Sequence, residues 1–572
     1  MIRRLKYAIL TPAALAVLLV SCHVAEIPEP QYGTEPPPSF SEAHGLKDAP
    51  FKLVMTPASA GGSIYYTLDG SEPTSKSMQY REPLSISHTT IIRAVETDAA
   101  GKYSSIATAS YLFGEDILDL ADAPEGYPDE WGPYSEISGT AKADYGMDQS
   151  MTSDPVLRAR MLEGLQQIPV VSLVTDKGNL FNNSTDPDKG GIYIHTGAPV
   201  GDPTGRSWER PVSFELFGDG LDLTISCGIK IHGGHSRLAE KNPKHAFRLK
   251  FKTEYGPSKL RCPVFGAEGP SEFNTLTLKT FFGNSWQHWD PGNRSRAQYV
   301  RDMWARSASA SLGMPYSRGR HVHVFINGMY WGMYCLSERI DENYCKSHFG
   351  GEKTDYDVLK VDEMQSNSVV ADYGSYATYA RLCALSGENM EEVEEVLDVD
   401  NFIDFMIINQ YAGNTDWDYH NWFAVLDKKT KDGFRFLCWD SEGIFVNTND
   451  NVLGLCNKDK PTGLFAKLIE NPEFKRRFEA RVTELSRPGG LLTTERTVEI
   501  WDSLYHSIDK ALYLEAARWG DYRYSVHRYN LPVERYDVDY WYMRERNNLM
   551  SGYFPARPAV YLQQLRNKGW YE

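Results

Sequence analysis

One stretch, Phe402 to Gly443, constrains this chain more than any other. "FIDFMIINQYA" reads as a buried apolar helix, and "WFAVL" as a buried strand. Between them lies "GNTDWDYHN", residues 413 to 421, rich in acidic and amide side chains. After the strand come a polar loop, "DKKTKDG", and a second strand, "FRFLCWD". The pattern predicts a β-hairpin with its turn at Lys428 to Gly433. Antiparallel strands return to where they began, so Asp440 comes back beside Asp416 and Asn421, and Glu442 follows two residues on. Carboxylate and amide oxygens converging at one place suit a hard divalent cation. Asp416 and Asp418 also have a plainer reading, as turn-forming carboxylates.

The rest of the chain frames that stretch. At 572 residues it is too long for one core, so two or three domains are expected. A net charge of −16 argues against nucleic acid as a partner, because phosphate contacts need a basic face. The start, "MIRRLKYAILTPAALAVLLVSC", has a basic head, a short apolar run and small residues, the pattern of a secretory signal over 1–21. Its "LVSC" end resembles a bacterial lipoprotein signal. That resemblance implies lipidation of Cys22, membrane anchoring and a place in the cell envelope. Residues 22–46 are Pro-rich and read as an extended tether. Residues 47–113 show short alternating runs separated by turn residues, an all-β sandwich pattern. Within them "IYYTLDGSEPT" resembles the β-sandwich module at the C-terminus of chitobiases and hexosaminidases. The module is a spacer or a glycan-binding unit, expected to fold alone. Residues 114–164 read as an ordered linker wrapping one domain or the other. Seven further cysteines are scattered and never form a CxxC pair, which disfavours a zinc site built from them.

From 165 to 572 the pattern is α+β. Strand-like runs are followed by a helical stretch at Ser295–Gly313 and by a hairpin turning at Asn327-Gly328. Asp416 and Asn421 stand five residues apart, and Asp440 follows a hairpin. Protein kinases use that order for the catalytic loop and the metal-binding aspartate. On this reading Asp416 orients or deprotonates an attacking hydroxyl, while Asn421 and Asp440 hold the metal.

"GIKIHGGHSRLAEKNPKHAFRLKF", "VHVFINGMYWGMYCLSERIDENY", "FIDFMIINQYAGNTDWDYHNWF" and "FRFLCWDSEGIF" resemble the spore-coat protein H (CotH) family, which contains atypical protein kinases. The resemblance implies an atypical kinase-like fold behind a small immunoglobulin-like sandwich. It also implies a Mg²⁺ or Mn²⁺ ion, ATP as co-substrate and an unidentified protein acceptor. Asp416 matches the catalytic-loop aspartate, and Asn421 and Asp440 match metal ligands. "WDSEG" puts Glu442 where the family often has Asp. Arg237 and Lys244 match the family's basic positions. Lys244, Arg248 and Lys250 share parity on a strand and form a row suited to phosphates. Glu338 is positioned to pair with that lysine or to contact the metal. Two readings follow: an ATP- and metal-dependent protein Ser/Thr phosphotransferase, or a non-catalytic envelope lipoprotein that keeps the fold to bind glycan or protein.

Overall fold

The computed structural model describes residues 33, 35–98, 100–196, 208–362, 366–430, 432–525, 533 and 535–572. The signal, Cys22 and the tether up to residue 32 lie outside the described residues. Further on, Ser39–Phe40 and Gly45–Lys47, expected within the tether or at its end, are strands paired with the sandwich. Among the described residues no helix is long and apolar enough to cross a membrane.

The α+β arrangement expected from the sequence is the one observed. The first unit is all β. Its five-stranded sheet runs in the order Gly45–Lys47, Ala107–Phe113, Thr90–Thr97, Ser63–Thr67, Met78–Gln79. The strands Phe51–Leu53 and Leu84–Ile86 pair separately. Alternation divides the labour of the longer strands. Ile92, Ala94, Ala109 and Tyr111 fill the module's own core, whereas Ile91 and Leu112 join the core of the large domain. The residues after the module also belong to the large domain. Trp131 is fully buried and packs against Trp331, Trp519 and Tyr522, and Arg518 donates to the Asp144 carbonyl at 2.6 Å.

The large domain opens with a closed barrel of seven strands. They are β1 (Val170–Val174), β2 (Arg210–Gly218), β3 (Leu221–His232), β4 (Ala246–Lys250), β5 (Thr275–Lys279), β6 (Gly319–Ile326) and β7 (Met329–Glu338). They run in the order β1-β2-β3-β4-β5-β7-β6, and a parallel β1–β6 pairing closes the ring. Val171, Phe214, Ile229, Phe247, Leu278 and Val324 fill its interior. The β6–β7 turn takes positive φ at Asn327 (47°) and Gly328 (83°), as a two-residue primed turn requires.

Between β5 and β6 lies α1, Arg301–Ser311. It is shorter than the helical stretch expected from Ser295. The side chain of Asn284 accepts the backbone N–H groups of Gln298 (2.8 Å) and Tyr299 (2.7 Å), and Tyr299 sits at φ 61°. Those two donors are therefore lost to a helix.

The second half builds a four-stranded sheet from β8 (Tyr356–Asp362), β9 (Ser368–Tyr373), β10 (Trp422–Asp427) and β11 (Arg435–Cys438), in the order β9-β8-β10-β11. Helix α2, Val399–Tyr411, is buried at every position but Asp400, which explains its apolar run Phe405–Ile408. Two later helices matter for the site: α3, Pro461–Leu468, and α4, Ala511–Trp519. All seven cysteines among the described residues are free, and Cys227, Cys335, Cys345 and Cys438 are buried.

Candidate active site

A cavity of about 580 Å³ opens where the outer face of the barrel meets the loops at the ends of β10 and β11. Each wall follows from local rules.

On β5 the strand period sends Leu276 and Leu278 inward and Thr275, Thr277 and Lys279 outward. Lys279 Nζ lies 3.1 Å from Asp302 Oδ2, pairs with Asp440 and sits 4.5 Å over the Trp439 ring. Burial alone would push this amine down, but Asp302 and Asp440 outweigh it and hold it above its ordinary value. Asp302 stands in the first turn of α1, where a carboxylate is favoured. Burial would raise its pKa, yet Arg306 at 2.8 Å and Lys279 keep it well below the usual carboxylate range. Asp302 also accepts the Ser441 N–H at 2.9 Å, so α1 grips the turn that carries Asp440 and Glu442.

The opposite wall is the predicted hairpin. Trp422 pairs with Cys438, which brings Asn421 and Asp440 to the same end. Asp440 takes φ 52°, a left-handed conformation that Asp tolerates better than most residues. Asn421 Nδ2 donates to the Asp416 carbonyl at 2.6 Å. Asp416 Oδ1 lies 3.3 Å from His420 Nε2, and its side chain is 64% exposed, open to a substrate. At Gly443 a Cβ would stand 3.0 Å from the Asp416 Cβ, so any larger residue would press on the loop that carries Asp416. Glu442 Oε2 accepts the Gly283 N–H at 2.5 Å. Burial, reinforced by the charge of Asp440, pushes its carboxyl up to about 8. Asp416, Asn421, Asp440, Glu442 and Lys279 all line this one cavity.

Asp418 does something else. It is buried, and it accepts from Thr462 N–H (3.0 Å), Thr462 Oγ1 (2.7 Å) and Asn457 Nδ2 (2.6 Å).

The five other residues expected to hold cofactor do not line the cavity. Lys244 precedes β4, is fully buried and is committed to Glu515 of α4 (2.7 Å) and the Met333 carbonyl (2.6 Å); burial pushes its amine down to about 8. Lys250 pairs with Glu209 at 3.2 Å. Arg237 Nε donates to the Thr196 carbonyl at 3.0 Å. Glu338 accepts from the Arg318 N–H (2.7 Å) and lies 2.8 Å from His348 Nε2. Arg248 meets His232 Nδ1 at 2.9 Å. The cations that do line the cavity are Lys279, Arg296 and Arg301, and of these Lys279 is the one paired with Asp440. Its signal was present in "NTLTLKTF", where alternation places a lysine at the end of a strand whose other face is apolar.

Among the described residues no group of three or more His, Cys, Asp or Glu side chains forms a metal cluster. The oxygen set in the cavity is Asp440, Glu442 and the amide of Asn421. It fits a hard cation on donor chemistry. Burial, and then the charge of Asp440, raise the Glu442 carboxyl.

No curated protein matches the chain. Residues 43–108 match the chitobiase/beta-hexosaminidase C-terminal domain. Residues 229–548, more than half of the chain, match the CotH kinase protein model, and the chain belongs to that family.

Proposed function

We propose that this protein is an ATP-dependent protein kinase of the cell envelope, transferring the γ-phosphoryl group to a Ser or Thr hydroxyl with a divalent cation. The observation that carries the reading is the meeting of Asp416, Asn421, Asp440, Glu442 and Lys279 around one cavity. Asp440, Asn421 and Glu442 would hold Mg²⁺ or Mn²⁺. Such an ion would supply positive charge that neutralises the phosphate oxygens.

The other roles belong to the chain itself. Lys279, held by Asp302 and oriented over Trp439, supplies fixed positive charge toward the phosphates. Asp416 accepts the proton of the acceptor hydroxyl as its oxygen bonds to the γ-phosphorus and the bond to the ADP oxygen breaks. His420 orients Asp416. The acceptor approaches from the exposed side of Asp416.

In this reading Cys22 carries the lipid anchor, and the β-sandwich is a rigid stand between membrane and kinase. The test is titration of ATP into the soluble chain, with and without Mg²⁺ or Mn²⁺, alongside phosphate incorporation. Saturable metal-dependent heat and phosphorylated protein are expected. Neither signal with any divalent metal would leave the non-catalytic lipoprotein reading. Cys22→Ser is expected to release the protein from membranes, and unchanged fractionation and mass would remove the anchor.

A further inference from the structure

His232 closes β3 and lines the cavity beside Gly233 and Gly234. The β3–β4 register pairs His232 with Ala246 and Lys230 with Arg248, so His232 and Arg248 share the outward face of the barrel. Arg248 Nη2 lies 2.9 Å from His232 Nδ1, and Arg248 is the one hydrogen-bond partner of His232 among the described residues. A guanidinium has N–H donors and no acceptor. Nδ1 must therefore be the bare, accepting nitrogen of the ring, and the ring proton sits on Nε2. The charges that act most strongly on the imidazole are cations, Arg248 from β4, Arg339 just after β7, Lys279 from β5 and Arg237 from the turn after β3. Asp372 and Asp341 stand behind Arg248, and Asp302 and Asp440 pair with Lys279. Burial, reinforced by these charges, keeps the ring neutral far below its ordinary titration range. A neutral donor has an advantage here. A cation at this position would be drawn toward Asp440, as Lys279 is, whereas a fixed Nε2–H stays directed by Arg248 alone.

We propose that His232 donates its Nε2–H to a phosphate oxygen of the nucleoside triphosphate in this cavity, with Arg248 as the positioning residue that fixes the tautomer; this rests on the phosphotransferase reading.

The experiment is calorimetric titration of ATP, inorganic tripolyphosphate and adenosine, each with Mg²⁺, into wild type, His232→Ala, His232→Gln and Arg248→Met. His232→Ala is expected to weaken ATP and tripolyphosphate by about tenfold each, the scale of one hydrogen bond to a charged group, and to leave adenosine unchanged. His232→Gln restores most of the loss, because its amide presents an N–H near the same point. In Arg248→Met nothing holds Nδ1 as the bare nitrogen, so the ring proton is shared between both nitrogens. ATP and tripolyphosphate are expected to weaken severalfold with adenosine unchanged, a phosphate-selective loss that a merely structural arginine would not produce. Nitrogen-15 spectra of histidine-labelled protein provide a check independent of the Arg248 variant. The signal removed by His232→Gln is expected to show bare Nδ1 and protonated Nε2, unchanged between pH 5.5 and 8.

Loss on adenosine alone, no loss on tripolyphosphate, or a ring protonated at Nδ1 would overturn the proposal. Wild type that binds neither ATP nor tripolyphosphate would remove the phosphotransferase reading and the donor role together. The nitrogen-15 signature would still decide whether Arg248 fixes the ring.

Discussion

Asp416 and Asp440 share one cavity, yet their surroundings give them different work. Asp440 is held against Lys279 in a turn gripped by Asp302, whereas Asp416 stands open beside His420. Asp440→Ala is expected to abolish metal-dependent ATP binding in calorimetry. Asp416→Ala is expected to bind ATP normally while phosphate transfer falls 10²- to 10⁴-fold, about 3 to 5 kcal/mol of barrier. Two mutants that each lose only some stability, with nucleotide affinity intact, would return both aspartates to turn formation. Glu442 gives a pH test. Its folded pKa, about 8, stands above the ordinary 4.5, so the native state binds the extra proton between those values. Stability therefore falls as pH rises from about 4.5 to 8 and levels off beyond. Glu442→Gln keeps an acceptor for the Gly283 N–H and is expected to melt like wild type near pH 4 and above it at pH 8. An unchanged gap across that range would place the charge of Glu442 in solvent or on an ion. Asp416, Asn421, Asp440 and Glu442 were legible in the sequence because one local hairpin brings them together. The meeting of Lys279 and Asp302 with Asp440 was not, because alternation places a lysine at the end of β5 but no local pattern pairs a barrel strand with a turn so far along the chain. Lys244 misled for a related reason: parity placed it beside Arg248, but it lies before the strand begins, where Glu515 of α4 takes it.

Helix α3 shows how an element can depend on a residue outside it. Its N-cap, Lys460, offers no side-chain cap. Asp418 supplies one from the acidic loop by accepting the Thr462 N–H and hydroxyl. Asp418 is thus a brace that fixes the loop carrying Asp416 against α3. Asp418→Ala is expected to cost about 1 to 3 kcal/mol in denaturant unfolding, the sum of a lost cap and buried donors left unpaired. The folded fraction should bind ATP as wild type does. A folded Asp418→Ala protein without ATP binding would move this carboxylate into the site. The Asn327-Gly328 turn, the 422–438 hairpin and buried α2 were all readable, since each is encoded by turn chemistry or periodicity within a short window. The closed barrel was not. Its closure is the parallel pairing of β1 with β6, and a parallel partner leaves no turn signal in either strand.

At the scale of the molecule, the β-sandwich is fastened to the barrel rather than tethered to it. Ser110 and Thr108, pointing away from the module's own core, meet Ser172 (2.7 Å) and Ser213 (2.9 Å), and Ser110 N–H donates to Glu215 at 3.0 Å. Glu215 is fully buried, and His44 reaches it at 2.6 Å while its other nitrogen meets Asp222 at 2.8 Å. Deleting the module would leave a carboxylate and two hydroxyls on an uncovered barrel face beside Phe217. The sequence suggested a module that folds alone. The expected outcome is instead that residues 114–572 melt below the full chain; equal melting would restore the independent-module reading. His44 gives this interface a pH signature. Burial would lower its pKa, but hydrogen bonds and charge from Glu215, then Asp222, outweigh burial and hold it above the ordinary value. A raised histidine stabilises the native state fully below its unfolded value of about 6.5, and the contribution is lost as pH rises through the folded value. Wild type is therefore expected to melt above His44→Gln at pH 5.5, with the gap narrowing by pH 9. The Gln variant keeps a donor toward Glu215 and removes only the titration, so its melting curve is the proper reference. A gap that stayed constant with pH, or widened toward alkaline conditions, would show that His44 fastens the module as a neutral ring and that the interface carries no charge-dependent hold.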